Sequence, residues 1–426
     1  MSTSVYDARG GMRNVWIITA KMNALAPFFI NNCMTVLAIC YTMIIPFLPI
    51  YLLELGVPKA DVALWSGLVF GITFLIAGIM APIWGKIADN KGKKRMALRA
   101  GFAIAVSYVL IGMVTDQYQL LMGRALVGFA NGFYPAAMTM VSLSVDEKQV
   151  GRALGIFQTG LILGNVIGPF LGGAVESVVG MRPVFYISGI AVFIATLAVL
   201  FLVKEPKLEV ENTTSKEQSK QPVKATSLRE DFKSVQEQPV LVRLLWIYFF
   251  MQCVIMMLQP ILALYVGDMQ GTMEGAAIIS GTILSIGGLA GSLTTNIWVR
   301  LGERRGYFRT ISYCMLGSGV VLLLQSLPVG IWWFGVLQVL IGSCIVGINP
   351  SLSAAVTLNT EPGFRGRMFG MTTTAQQFGS MVGPVFASIV STYIGISYVF
   401  SITGLLLLYM GFQSRKLSVQ HDKYSV

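Results

Sequence analysis

Apolar residues in this chain gather into twelve long blocks divided by short polar breaks, without the alternation that marks half-buried strands. The blocks run roughly over 26–53, 62–85, 97–115, 119–142, 153–175 and 183–203, then 243–267, 276–299, 309–328, 331–357, 368–392 and 396–413. About 20 apolar residues carry an α-helix across a bilayer core of roughly 30 Å. The pattern therefore predicts an all-α integral membrane protein with twelve transmembrane helices in two sets of six. Between the sets, 204–242 is rich in charge, Ser, Thr, Gln and Pro, and reads as a solvated linker ending in a short surface helix from Leu228 to Arg243. The predicted organisation is an N-terminal tail (1–25), a bundle (26–203), the linker (204–242), a second bundle (243–413) and a C-terminal tail (414–426).

Composition agrees with lipid as the solvent. Hydrophobic residues make up 54% and charged residues 12%, where soluble domains carry about 25% charge. The net charge of +11 would raise nucleic acid as a partner, but its placement explains it otherwise. Twelve spans put both tails and the linker on one side, and that side holds all 31 Lys and Arg except Lys59, Arg124 and Arg182. Such a bias places both termini in the cytoplasm, with no need for nucleic acid. Cys33, Cys40, Cys253, Cys314 and Cys344 all fall in apolar blocks, which favours buried free thiols over disulfides or a metal site. The lone His421 lies in the C-terminal tail, so no histidine relay is expected in the membrane. Residues 1–24 do not read as a signal peptide. No phosphate-binding loop and no catalytic set of Ser, His and Asp stands out, so neither an ATP-driven motor nor an enzyme is expected.

The two halves repeat. Pro46 and Tyr51 return at the same separation as Pro260 and Tyr265. Gly155, Gly164, Gly168 and Pro169 return as Gly370, Gly379, Gly383 and Pro384. Internal duplication marks transporters with alternating access, whose site lies near the interface of the repeats.

Three motifs carry chemistry. The loop after the second block, Gly85-Lys-Ile-Ala-Asp89-Asn-Lys-Gly92-Lys93-Lys-Arg95, sets one acid among many bases beside a glycine turn. Asp89 there is suited to cap a helix or to pair with an arginine; the plainer reading is a basic loop held inside by its charge. In the fifth block, Gly155, Gly164, Gly168-Pro169 and Gly172-Gly173 form a spaced set, with Gly160, Gly164, Gly168 and Gly172 on one stripe. Small residues at this spacing let a neighbouring helix come close, and Pro169 removes a backbone donor. Arg124 is the one charged residue well inside a block, at the head of Arg124-x3-Gly128-x3-Gly132. An intramembrane arginine costs at least about 2.5 kcal/mol, so it should face the protein interior or a wet cavity. A structural arginine bonded to helix carbonyls is the alternative. Position 338, which matches it in the second half, is Gln338.

These motifs resemble those of the major facilitator superfamily, in its twelve-helix drug:proton antiporter branch. The loop is similar to the signature G-x-L-A-D-R-x-G-R-K, departing at Asn90 and Lys93. Pro82 to Gly101, with LQPILALYV in the seventh block, resembles multidrug efflux transporters of Gram-positive bacteria. The resemblance implies export of small hydrophobic compounds in exchange for protons, by a monomer without other cofactors. It also implies pairing of Asp89 with Arg365 or Arg367, and a coupling role for Arg124. Against a simple reading, none of the 20 Asp and Glu residues lies mid-block; Glu54, Glu176 and Asp268 sit near outer ends. A sugar or organic-anion transporter of the same superfamily is the alternative. Polar candidates for a substrate cavity are Asn31, Asn32, Tyr41, Tyr134, Tyr248, Gln252, Gln259, Asn349 and Gln376, although interhelical hydrogen bonding explains any single one as well.

Overall fold

The computed structural model describes residues 27–145, 149–203, 234–327, 330–361 and 364–424, with the side chains of Asp89, Asn90 and 418–424 excepted. Twelve helical segments cross it. They are α1 (Pro27–Glu54), α2 (Lys59–Lys91), α3 (Lys93–Gly112), α4 (Gln117–Leu143), α5 (Val150–Val179), α6 (Met181–Leu202), α7 (Pro239–Gln270), α8 (Ala276–Arg305), α9 (Tyr307–Gln325), α10 (Ile331–Leu358), α11 (Arg365–Tyr393) and α12 (Ile396–Tyr424). Eleven are long and apolar enough to span a bilayer. The exception is α11, where Thr372, Thr373, Thr374, Gln376 and Gln377 lower the hydropathy. α11 packs against α2 and α7, which buries Thr372 and half-buries Gln376 and Gln377, while Thr373 and Thr374 stay exposed.

Three blocks that read as continuous are broken. In α1 the chain tightens to a 3-10 turn at Ile45–Phe47, where Pro46 removes a donor. α4 breaks at Asn131 and Gly132, with Gly132 at φ +127°. α10 breaks at the equivalent place, between Ile345 and Ile348.

The repeat is visible in side-chain geometry. The Tyr51 hydroxyl donates to the Ile111 carbonyl at 2.9 Å, and its ring lies 5.0 Å from that of Phe185. In the second half Tyr265 donates to the Gln325 carbonyl at 3.3 Å, with its ring 4.8 Å from Phe400. The turns between α2 and α3 and between α8 and α9 each rest on a left-handed glycine, Gly92 at φ +96° and Gly306 at φ +93°. An L-residue adopts such a conformation only with strain.

The halves meet along two helix pairs, α5 with α8 and α2 with α11. Call the end nearest the 204–233 segment the linker end, and the other the far end. The close approaches lie toward the far end. The Pro169 carbonyl lies over Gly281, and the Pro384 carbonyl over Gly67, so a Cβ on either glycine would collide with backbone. Gly173 meets the backbone of Ala277 and Ile278, and the Phe170 amide donates to Ser285 Oγ at 3.1 Å. Toward the linker end, Gly78, Gly85, Gly155 and Gly370 face open space. The halves therefore touch at the far end and diverge toward the linker end.

Candidate substrate pathway

The glycine stripe of α5 serves two interfaces. Gly160, Gly164, Gly168 and Gly172 lie on α1, against Asn31, Ala38, Thr42 and Met43. Gly173 and the Pro169 carbonyl face α8 in the other half. A Cβ added at Gly155 would meet nothing beyond its own helix. The second copy behaves alike, with Gly379 and Gly383 set on α7 at Phe249 and Cys253. Where that copy departs from the pattern, Ser388 meets Gly67, so the glycine of the contact is supplied by the opposite helix.

Within the N-terminal half, a cavity of about 300 Å³ is lined by side chains of six helices, among them Tyr41, Thr73, Tyr108, Asn131, Tyr134 and Asn165. Tyr134 is positioned by Gln158, whose Nε2 donates to its hydroxyl at 3.1 Å, and by Phe157 with ring centroids 5.7 Å apart. Gly128 lets α4 approach the Thr73 carbonyl of α2, and Thr73 Oγ1 donates to the Arg124 carbonyl at 3.2 Å.

Arg124 of α4, which is not among the cavity's lining residues, is fully buried at 0% exposure. Its Nε, Nη1 and Nη2 have no hydrogen-bond partner among the described residues, so the carbonyl-bonded alternative is not what the structure shows. The guanidinium carbon stands 5.7 Å from the Phe70 ring centroid. The hydroxyls of Tyr41 and Tyr108 are near enough to interact with it electrostatically. In the second half, Gln338 accepts from Gln325 Nε2 at 3.0 Å. A neutral amide pair thus occupies the place that the first half gives to a bare cation.

The break in α4 is bonded on both sides, the Gly132 amide donating to Asn131 Oδ1 at 2.7 Å. Arg99 of α3 donates through Nη2 to the carbonyls of Ala130 at 3.2 Å and Asn131 at 2.9 Å. Its guanidinium carbon lies 3.7 Å from the Trp84 ring centroid, and Trp84 Nε1 donates to the Phe129 carbonyl at 2.9 Å. These donors satisfy carbonyls that the break frees. The following segment, Phe133–Leu143, begins at Gly132 with no side-chain cap.

The remaining candidates scatter. Asn31 Oδ1 is buried and without a hydrogen-bond partner among the described residues, at the α1–α5 contact. Asn32 is exposed and donates to the Phe28 carbonyl of its own helix at 2.8 Å. Tyr248 is buried, its hydroxyl 3.1 Å from Ser353 Oγ. Gln252 lies beside Gly379, Gln259 Oε1 is buried and unpartnered among the described residues, Gln376 is half-buried and Asn349 exposed. Lys93 opens α3 after the Gly92 turn. Arg365 Nε donates to the Thr360 carbonyl at 3.3 Å, and the Arg367 guanidinium stands 4.8 Å from the Phe364 ring centroid. The side chain of Asp89 is outside the described residues.

Sequence reasoning missed Tyr108, Asn131, Asn165 and the seal by Arg99. The pair Asn131-Gly132 inside an apolar block was an available turn signal. Arg99 carried none, because it counts equally well as one more inside charge.

The model of the Major Facilitator Superfamily matches residues 32–324 and 280–416. The multidrug resistance protein MdtG of Proteus mirabilis is 33% identical over 370 residues, 87% of this chain and 90% of its own. MdtG of Klebsiella pneumoniae is 32% identical over 370 residues, 87% of each chain. These relatives are Gram-negative, which corrects the Gram-positive resemblance drawn from the loop motif. A bacterial homologue of the lysosomal transporter Spinster, solved inward-facing and unoccupied, superposes with TM-score 0.68 at 16% identity, covering 93% of this chain and 95% of that one. A peptide transporter, POT, superposes with TM-score 0.74 at 14% identity over 93% and 94% of the two chains. With the family model spanning nearly all of both bundles, this chain belongs to the Major Facilitator Superfamily.

Proposed function

We propose that this protein is a secondary active transporter that exports small hydrophobic drugs across the bacterial plasma membrane in exchange for protons. The observation that carries the reading is the likeness to relatives named multidrug resistance proteins, which extends over 87% of the chain. The mechanism is alternating access by rocking of the two halves. With both termini in the cytoplasm, the linker end opens inward, and the geometry is that of a state loading from the cytoplasm. The Pro169–Gly281 and Pro384–Gly67 contacts form its closed outer face. Closing the linker end brings the Gly85-to-Lys93 loop toward the start of α11. Asp89 then meets Arg365 or Arg367 in place of their present partners, the Thr360 carbonyl and the Phe364 ring. Loss of export in Asp89→Ala with normal insertion is the expected result; full activity would rule the loop out as a gate.

With no acid mid-span, the proton carrier is assigned to an outer-end carboxylate. Glu54, whose Oε1 accepts from the Met181 amide at 3.3 Å, is the first candidate, followed by Glu176 and Asp268. The deciding experiment is efflux of ethidium and norfloxacin from a pump-deficient bacterium expressing the chain. Efflux that collapses with a protonophore supports the reading. No efflux, with the protein shown to be in the membrane, refutes it.

A further inference from the structure

We infer that the groove between α2, α4 and α11 holds the acyl chain of a bilayer phospholipid, which bridges the two halves and favours the conformation with the far end closed. The consequence for transport rests on the rocking of the halves; the binding itself does not.

The groove is an apolar space of about 470 Å³ on the seam between the halves. Leu68, Leu75 and Leu121 wall it from the first half, and Val382, Phe386 and Ile389 from the second. Its floor is a contact of the halves themselves, where a Cβ on Gly71 would stand 2.8 Å from Val385 Cγ2.

Depth and facing identify the medium. Leu121 lies in the second turn of α4 from the far end, and Ile389 lies near the end of α11. Leu68 and Leu75 lie about 14–24 Å along α2 from Lys59. The groove thus runs through the hydrocarbon of one leaflet. Beyond it, Trp65 and Tyr118 meet edge to face with ring centroids 5.0 Å apart, in the manner of the aromatic belt at the headgroup level. The halves touch at this end, so the exposed faces of Leu68, Phe386 and Ile389, at 39%, 44% and 44%, open on the bilayer and not on a central cavity. Met122, next to Leu121 and largely exposed, marks the same lipid-facing side.

Chemistry then decides the occupant. Every lining residue is aliphatic, Phe, Met or Gly. A water there would find none of the polar partners it needs, and the polar groups of a drug would go unpaired. An unfilled space would forfeit the dispersion contacts of both walls. The volume falls in the range of sites that take a whole small molecule, about 300–1,000 Å³. A flexible hydrocarbon chain, supplied by the bilayer at this depth, meets these conditions together.

Because the walls belong to different halves, occupancy is linked to conformation. Opening the far end would draw the walls apart, so the chain binds the closed form better and by linkage favours it. The repeat provides the contrast. At the separation that relates Pro46 to Pro260, Leu68, Ile72 and Leu121 correspond to Thr282, Ile286 and Gly335, which line a groove of about 640 Å³ between α8 and α10. All of its lining residues belong to the second half, so an occupant there would favour neither conformation.

The test is photolabelling of the full-length protein in vesicles of phosphatidylethanolamine and phosphatidylglycerol, doped with phosphatidylcholine that carries a diazirine at the middle of one acyl chain. Adducts are mapped by mass spectrometry. Both walls, read at Leu68 or Leu75 and at Phe386 or Ile389, should carry at least about fivefold more adduct than Ile190 and Ile194 of α6, which are more exposed to lipid. Val382→Trp, which fills the groove from one wall, should bring the adduct down to the level of α6. Gly281→Val, which holds the far end open from the opposite seam, should do the same. Groove labelling no higher than that of α6, labelling of one wall alone, or labelling unchanged in Gly281→Val overturns the inference. Loss of label with saturating ethidium also overturns it, since the groove would then be a drug site. The export reading stands or falls on drug efflux in cells, so its failure leaves the labelling result intact, and the reverse holds too.

Discussion

Lys59 Nζ stands 3.4 Å from Asp268 Oδ1, joining the first residue of α2 in one half to the last turn of α7 in the other. Both side chains are largely exposed, at 72% and 45%, so the pair is worth about 0–1 kcal/mol. That is too little to hold the fold but enough to bias two conformations, since about 1 kcal/mol is roughly a fivefold change in population. Asp268→Asn should leave thermal stability unchanged and raise maleimide labelling of Ala63→Cys, on the face of α2 that carries Gly67. An increase of about two- to fivefold is expected. Unchanged labelling would make the ion pair an incidental contact.

The glycines of α5 and those opposite them separate two effects of size. Gly281 and Gly67 face the carbonyls of Pro169 and Pro384 across the two halves. Gly281→Val or Gly67→Val should prevent the far end from closing, abolish efflux, and leave each half folded. Gly168 faces Thr42 and the Ile39 carbonyl within one half. Overpacking there costs about 1–3 kcal/mol, so Gly168→Val should lower the melting temperature in detergent as well as activity. If all three variants lose stability alike, the far-end contacts are structural seams and not a gate.

Twelve helices were legible because a bilayer crossing needs long apolar runs, and the turn at Gly92 was legible because glycine tolerates the positive φ found there, whereas Pro260, the repeat of Pro46, lies inside α7. The breaks in α4 and α10 were not, because hydropathy averages over Asn131-Gly132 and sees one apolar run. The same averaging favours α11 by length, although its threonines and glutamines place it below the hydropathy of a span. Of the polar residues singled out for a cavity, Tyr41 and Tyr134 line one, while Asn32 turns back on its own helix and Asn349 is exposed. Periodicity places a residue at a depth in the membrane. Which way it faces is set by the neighbouring helix, as Tyr108 of α3 shows by reaching the same cavity.

Arg99 is expected to be a keystone of the α4 break. It reaches the Ala130 and Asn131 carbonyls with one nitrogen while its plane stacks on Trp84. Removing it leaves carbonyls unsatisfied, at about 1–3 kcal/mol. Arg99→Ala should lower the melting temperature and weaken binding in the adjacent cavity together. Arg99→Lys should recover only part of both, since an ammonium lacks the planar fork and the stacking face. A variant that keeps its stability would show that water substitutes for the guanidinium at this break.

Arg124 poses the opposite case, a residue whose removal should stabilise. Its guanidinium is fully buried and bonded to no described group. A charge so placed costs at least about 2.5 kcal/mol. Methionine is close in length, unbranched, and able to fill the buried space that the Arg124 side chain occupies near Phe70. Arg124→Met should therefore raise the apparent melting temperature in detergent while export falls by at least about tenfold, the trade expected where a functional group is held against the fold's own preference. Thermal unfolding followed by tryptophan fluorescence, beside efflux from cells with matched membrane levels, measures both. A melting temperature that falls with activity would mean that the guanidinium is held by partners that outweigh its desolvation, and Arg124 would then be a structural residue of the first bundle.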